Sequence, residues 1–185
     1  MIEDVYRQLQ QRLDLYSMGF PATDSGVELK ILRYLFSEND AHLFLALTPK
    51  LEAPQTVADR RKAPVAKVAA HLEDMAERGL LFRLKQGNKA RYAAIPFVHG
   101  LFEFQVTTLD RELSQLVEQY FEEGFDQNLQ DNADYFLRTI PVQKAIDVTH
   151  HVASYEDAVT ILQSKKRIVV ADCICRKRTE ILNQG

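Results

Sequence analysis

The order of apolar and polar residues predicts three helices in the first third of the chain. Apolar residues recur three and four positions apart near the N-terminus, at Ile2, Val5, Tyr6, Leu9 and Leu13. This spacing places them on one face of an amphipathic N-terminal helix. Ser25 followed by Glu28 has the spacing of a capping box and predicts the start of a second helix. Asn39 or Asp40 then caps a third helix, which ends near Leu47.

Two more helices and a sharp turn are predicted further along the chain. Residues 54–62 form a helix whose first residue is proline, a position that proline favours. The residue before Pro64 is held out of the helical region, which forces a turn. A longer helix follows over 64–78, and Gly79 ends it in the left-handed conformation.

A basic hairpin is predicted directly after this helix. Residues 80–84 and 90–95 have the pattern of short strands, and residues 85–89 form the loop between them. Gly87 supplies the positive φ that such a loop needs. Helix, turn, helix and hairpin follow one another in the order of a winged helix-turn-helix domain.

The same region carries a sequence motif. The run A-x-x-L-x-x-M-x-x-x-G-L-L extends from Ala69 to Leu81 and is followed by the basic hairpin and Tyr92. This run resembles the winged-helix families of bacterial regulators, and the resemblance covers residues 26–97. It implies a winged-helix domain over residues 26–98, preceded by the N-terminal helix within residues 1–25.

A connector over residues 99–134 contains an apolar stripe. The stripe consists of Leu109, Leu113, Leu116, Val117, Tyr120 and Phe121. It predicts a long amphipathic helix over residues 108–121, capped by Thr107 or Thr108. Such a helix must pack on the winged domain, on the C-terminal part or on a second copy of the chain. The last alternative predicts a homodimer through helix 108–121.

The last part of the chain, residues 135–185, has an α/β pattern. Residues 135–140 suit a strand, and Ser154 with Asp157 starts a helix. Residues 168–171 are all apolar and predict a short buried strand, which completes a βαβ-like segment. The predicted fold class is therefore α+β: a winged helix-turn-helix domain, a long amphipathic helix and a small α/β segment.

Composition narrows the class of protein. The 185 residues are 46% hydrophobic and 26% charged, with a formal net charge of −3. These values are typical of a globular protein and exclude the strongly basic field of a general nucleic-acid or membrane-surface binder. The acidic N-terminus lacks the pattern of a signal peptide, and no apolar run reaches membrane length. The two cysteines indicate a reducing compartment, so we expect a cytoplasmic protein with no membrane partner.

Cations in the predicted winged domain are candidates for contacts with DNA phosphates and bases. The nine candidates are Arg60, Arg61, Lys62, Lys67, His71, Arg83, Lys85, Lys89 and Arg91. The outward face of the second helix of the motif becomes acidic towards its end, at Glu73, Asp74 and Glu77, which opposes binding to the DNA backbone. DNA binding and a purely structural use of the winged domain both remain open at this stage.

Cys173 and Cys175 carry the sharpest chemical signal. They are followed by Arg176, Lys177 and Arg178, and nearby cations favour thiolates. Thiolates are the ligands that soft or borderline metals and iron–sulfur clusters require. A cluster takes four such ligands, whereas this chain has two cysteines. The alternatives are two buried cysteines at the end of a strand, or a zinc site shared with His150 or His151, which the spacing does not favour.

A second resemblance concerns this segment. Residues 168–177, I-V-V-A-D-C-I-C-R-K, resemble part of a prokaryotic family of ferredoxin-type 4Fe-4S proteins with an N-terminal winged-helix-like region. Residues 95–105, 138–142 and 155–157 match as well. The resemblance implies that Cys173 and Cys175 are cluster ligands. In that family more cysteines follow a basic stretch and a glycine, so we expect this chain to be the N-terminal part of a longer protein that holds the cluster.

The sequence thus predicts an electron-transfer or accessory redox protein that works with a redox partner protein. We expect the 4Fe-4S cluster in the full-length protein and not in this chain alone. A winged-helix, DNA-binding transcriptional regulator, with redox sensing through the cysteines, is the alternative. No nucleophile elbow and no glycine-rich phosphate loop is present, so we do not expect the chain itself to be a catalyst.

Overall fold

A computed structural model describes residues 4–126 and 155–183. Its main helices are α1 (Val5–Asp14), α2 (Val27–Leu35), α3 (Glu38–Leu45), α4 (Pro54–Arg61), α5 (Val65–Glu77), α6 (Arg111–Tyr120), α7 (Tyr155–Gln163) and α8 (Ile174–Asn183). Two strands, β1 (Phe82–Gln86) and β2 (Lys89–Ala93), form an antiparallel sheet. The fold is therefore mixed α+β and mostly helical.

Short helical turns join the hairpin to α6. A π-type turn spans Phe97–Leu101, a 3₁₀ turn spans Glu103–Gln105, and a second π-type turn, Phe121–Phe125, extends α6. Aromatic side chains from these turns and from α6 gather around Phe20, whose ring centroid lies 4.4 Å from that of Phe97 and 4.7 Å from that of Tyr120. This aromatic cluster connects the N-terminal part of the chain to α6.

The predicted N-terminal helix is confirmed as α1. Asp4 caps it by accepting a hydrogen bond from the backbone N–H of Tyr6. Leu9 and Leu13 are buried against the same core as α2 and α3, and the Tyr6 hydroxyl donates to the carbonyl of Phe36. The helix thus packs into the body that the sequence assigns to the winged domain.

Two predicted caps are wrong, since the N-cap of α2 is the residue after Ser25 and the N-cap of α3 lies two residues before Asn39. Gly26, with φ of 67°, caps α2, while Glu28 is fully buried, pairs with Arg7 at 3.0 Å and accepts from Thr23. The cap of α3 is Ser37, which forms a capping box with Asp40.

The helix pair and hairpin lie close to their predicted positions. Proline is the first residue of α4, and Gly79 follows α5 with φ of 72°. The hairpin is tighter than predicted, since Gln86 pairs with Lys89 and leaves a two-residue turn that contains Gly87 with φ of 59°. One more pair of residues extends the sheet, because Glu52 forms an antiparallel bridge with Tyr92.

The amphipathic helix of the connector is confirmed as α6, but its cap is Asp110, which accepts from the N–H of Leu113, and not Thr107 or Thr108. Leu113, Val117 and Tyr120 are buried, and α6 packs against α2 and α8. The apolar face that carried the prediction of a homodimer through helix 108–121 is therefore covered by the same chain.

The C-terminal prediction is partly wrong. The helix that begins near Ser154 is confirmed as α7, whereas the predicted strand over residues 135–140 lies outside the described residues. Residues 168–171 form no strand and are not buried: Ile168, Val169 and Val170 are 57%, 80% and 89% exposed. A strand needs a neighbour to satisfy its backbone, and no described strand lies beside this segment. Within residues 4–126 and 155–183, no helix has the length and apolar character needed to cross a membrane.

Candidate functional site

The two cysteines lie at the start of α8. Cys173 immediately precedes the helix, and its carbonyl accepts the first hydrogen bond of the helical pattern, from the N–H of Lys177 at 3.0 Å. Cys175 is in the first turn. Both thiols are free and both residues are exposed, so the alternative of two buried cysteines at a strand end is wrong.

The surroundings of Cys173 favour its thiolate. The backbone N–H groups of Arg176 and Cys175 point at the sulfur, and the charge of Arg176 and the thiol of Cys175 add to their effect. Together they lower the pKa of the Cys173 thiol below its usual value.

Helix α8 is attached to the rest of the molecule by cationic side chains. The Arg178 guanidinium pairs with Glu118 at 3.0 Å and lies 4.9 Å above the ring of Phe121. Lys177 donates to the carbonyl of Val106 at 2.6 Å, and Arg111 donates to the carbonyl of Ile181 at 2.8 Å. These contacts hold the helix that presents the two thiols against α6.

The thiol pair fits part of a metal-ligand set. In the described ranges, no group of three or more His, Cys, Asp and Glu side chains is arranged to hold a metal ion. Within these ranges the two thiols are thus the available sulfur ligands. A site with four ligands needs two more from outside these ranges. His150 and His151, the candidates for a shared zinc site, also lie outside them.

Two of the four hairpin cations, Arg83 and Lys85, are bound to a carboxylate of α5. Arg83 and Lys85 both bind Glu73 of α5, at 2.7 and 2.6 Å, and the Tyr92 hydroxyl donates to the same carboxylate at 2.6 Å. The hydrogen bonds from Lys85 and Tyr92, with the charge of Arg83, lower the pKa of Glu73 to about 2. Burial and the bond to Glu73 raise the pKa of Tyr92 to about 12. Glu73 thus neutralises the side of the hairpin that faces α5.

The other two hairpin cations lie on the opposite face. Arg83 is paired with Tyr92 in the register, whereas Arg91 is opposite Leu84 and Lys89 is opposite Gln86. Since side chains alternate along a strand, Lys89 and Arg91 share a face that does not include Arg83 and Lys85. The hairpin therefore divides the predicted cluster of four cations into two pairs.

The cations at the end of α4 also have internal partners. Arg60 pairs with Glu52 at 2.5 Å and donates to the carbonyl of Ala46. Arg61 donates to the carbonyl of His42 at 2.6 Å. Of the nine predicted DNA contacts, four side chains have no hydrogen bond or ion pair with any residue that the structure describes: Lys62, Lys67, Lys89 and Arg91.

His71 belongs to a charged cluster that the sequence did not predict. Its Nε2 lies 2.6 Å from the carboxylate of Asp40, which is only 2% exposed. Arg78 donates two hydrogen bonds to the same carboxylate, at 2.8 and 3.1 Å. Burial alone would raise the pKa of Asp40, but the hydrogen bonds from Arg78, His71 and Ser37 hold it well below its usual range. The capping-box spacing of Ser37 and Asp40 was the signal in the sequence from which part of this cluster could have been predicted.

Comparison with known proteins adds no family assignment. No protein-family model matches the chain, and none of the curated proteins matches it significantly.

Proposed function

We propose that this chain presents two thiolate ligands, Cys173 and Cys175, to a 4Fe-4S cluster of a ferredoxin-type electron-transfer or accessory redox protein of the cytoplasm. The observation that carries the proposal is the pair of free, exposed thiols at the start of α8. Their donor chemistry suits iron–sulfur clusters, and a reducing compartment keeps such thiols available. The remaining ligands would come from outside the described residues, and the redox partner would be a second protein.

The residues around the thiols fit this role. The cluster, when bound, takes up and releases one electron at a time, and hydrogen bonds to its sulfur ligands tune the potential. Backbone N–H groups of Cys175 and Arg176 already point at the Cys173 sulfur, so they are placed to stabilise negative charge there. The attachment of α8 through Arg178 and Lys177 holds both ligands in position without using the thiols.

The test is anaerobic purification of the longest natural protein that contains this chain. We expect broad visible absorption and about four iron and four sulfide per protein. Replacement of both cysteines, Cys173→Ser with Cys175→Ser, removes the absorption or reduces it to a small fraction. Asn183→Ala, at the opposite end of α8, is the matched control and leaves iron and sulfide content unchanged. Full cluster content in the double variant would exclude these residues as ligands.

The arrangement of α3, α4, α5 and the hairpin supports a second part of the proposal, that residues 26–98 form a winged helix-turn-helix domain. Helices α4 and α5 pack on each other, β1 contacts α5, and β2 contacts α4. The bridge between Glu52 and Tyr92 places one residue of a third strand beside β2, just before α4 in the chain. This domain would serve as the scaffold on which α6 and α8 are mounted.

DNA binding by this domain is the second candidate function. It is favoured by four cations that have no partner among the described residues: Lys62, Lys67, Lys89 and Arg91. It ranks second because Glu73 holds Arg83 and Lys85. Duplex DNA titrated at several salt concentrations tests it. Salt-sensitive binding that Lys89→Gln and Arg91→Gln weaken would support a regulator.

A further inference from the structure

A small cleft lies among α3, the turn between α4 and α5, and the first half of α5. It has a volume of about 220 Å³, and its apolar lining is supplied by Leu43, Ala63 and Val68. Drug-sized ligand sites begin at roughly 300 Å³. The cleft therefore suits a smaller molecule with a compact apolar body.

The remaining lining residues are polar or cationic. They are Asn39, Arg61, Lys67 and His71, and within residues 4–126 and 155–183 no acidic side chain lines the cleft. The Lys67 ammonium has no partner among the described residues, and Arg61 uses one Nη atom on the carbonyl of His42 while its other N–H groups stay available. Such a rim favours a ligand with a negatively charged head group.

Part of the rim is held in place before any ligand binds. Asp40 fixes the imidazole of His71 through Nε2 at 2.6 Å, and Asp40 is itself fixed by Arg78 and Ser37. The bond to Asp40 occupies Nε2 of His71, so the charged contacts with an anion come from Lys67 and Arg61. The carbonyl of His42 restricts Arg61 in the same way. A site with restricted side chains loses less entropy when a ligand binds.

We propose that this cleft is a binding site for a small organic anion, of the class of a carboxylate with a compact apolar or aromatic body. The anion would lie between Lys67 and Arg61, beside the imidazole of His71, with its apolar part on Leu43 and Val68. Three of the residues predicted to contact DNA would thus serve a small-molecule effector site. The proposal is independent of the cysteine pair, since none of the cleft residues lies on α8.

The experiment is an NMR titration of the full chain with benzoate as the probe, followed through backbone amide shifts. We expect shifts confined to residues 39–43 and 61–71, with a dissociation constant of about 1 mM. Neutral benzamide, of the same shape, should bind at least about tenfold more weakly, because it lacks the charge. Inorganic phosphate should also bind more weakly, because it lacks the apolar body.

Two variants locate the site. Lys67→Gln should weaken benzoate binding about tenfold, and Arg61→Gln should do the same. Lys50→Gln removes an exposed cation outside the cleft and should leave the affinity unchanged. The proposal is overturned by equal binding of benzamide, by benzoate binding that Lys67→Gln leaves intact, or by no shifts at about twenty times the expected dissociation constant. Shifts of the same amides by duplex DNA and none by benzoate would also overturn it.

Discussion

Asp40 is a buried carboxylate that receives polar contacts from three parts of the helical body. Its carboxylate accepts hydrogen bonds from Ser37 of its own helix cap, from His71 of α5 and from Arg78 just after α5. A carboxylate that is 2% exposed needs such partners, because an unpaired buried charge is strongly destabilising. Asp40 therefore joins the start of α3 to both halves of α5.

Replacing this carboxylate should reveal its contribution through pH. The pKa of Asp40 is lowered in the folded state, so its stabilisation is present above the unfolded pKa of about 3.9 and is lost as pH falls below it. We expect Asp40→Asn to reduce the free energy of unfolding by about 2 kcal/mol at pH 7, since Arg78 is partly exposed. In urea denaturation, the difference from the wild type should be constant above about pH 5 and shrink progressively as the pH falls below about 4.

Asp59→Asn is the matched control for this prediction. Asp59 is exposed on α4 and accepts one hydrogen bond from Gln55 at 2.6 Å. Its replacement should change stability by less than about 0.5 kcal/mol over the same pH range. A difference between Asp40→Asn and the wild type that stays constant from neutral to acidic pH would contradict the role of the Asp40 charge.

At the scale of elements, local signals placed the helices and the hairpin well. Proline at the start of α4 and glycine after α5 act through backbone geometry, so their effect needs no distant partner. Caps were less predictable, because several neighbouring side chains compete for the same N–H groups. The prediction of a strand over residues 168–171 was wrong for a different reason, since an apolar run becomes a strand only if another strand pairs with it.

Gly79 shows how one position combines a local and a tertiary requirement. Its φ of 72° disfavours any side chain, and a Cβ atom there would lie 2.8 Å from Cβ of Phe104 and 3.0 Å from its carbonyl oxygen. Gly79→Ala should therefore lower the free energy of unfolding by about 3 kcal/mol, measured by urea denaturation. At Gly87 the φ of 59° is similar, but nothing lies within 4 Å of a new Cβ atom.

Gly87→Ala is thus the matched control, and it should cost only about 1 kcal/mol, from backbone strain alone. The difference in free energy of unfolding between the two variants measures the destabilisation that comes from the close approach of the turn at Phe104 to the end of α5. Equal destabilisation by the two substitutions would show that this approach adds nothing to the strain.

At the scale of the whole molecule, α6 connects the helical body to the thiol-bearing helix. One side of α6 packs on α2, and α8 packs on another. Arg178 occupies the contact between α6 and α8, with an ion pair to Glu118 and the ring of Phe121 beneath it. Its Nε and one Nη are buried with no hydrogen-bond partner among the residues that the structure describes, so part of this gain is offset.

Truncation of Arg178 should loosen α8. Loss of the ion pair and of the cation–π contact is worth about 1.4 kcal/mol, which corresponds to about a tenfold change in local opening. Hydrogen exchange of the α8 amides should therefore be about tenfold faster in Arg178→Ala, while exchange in α5 stays the same. Lys166→Ala, in the exposed segment before α8, should leave both unchanged. Unaltered protection of α8 in Arg178→Ala would mean that other contacts attach it.

The candidate sites, like the elements of the fold, could be predicted only where the signal lies between neighbours in the chain. The adjacent cysteines were recognisable because two thiols and the cations that follow them are neighbours in the chain. The DNA-binding prediction depended instead on whether its cations are free, which no local pattern reveals. Glu73 belongs to an acidic helix face that the sequence did show, yet its pairing with Arg83 and Lys85 appears only in the structure.

The sequence by itself determined the helices α1, α4 and α5, the hairpin and the position of the thiol pair, because apolar spacing, proline, glycine and cysteine act on their immediate neighbours. The tertiary structure alone decided which charges are neutralised. Asp40 and Arg78 are 38 residues apart, and Asp40 and His71 are 31 apart. Such pairs form only when packing brings distant helices together, and their ion pairing and burial then set which cations remain available to a ligand.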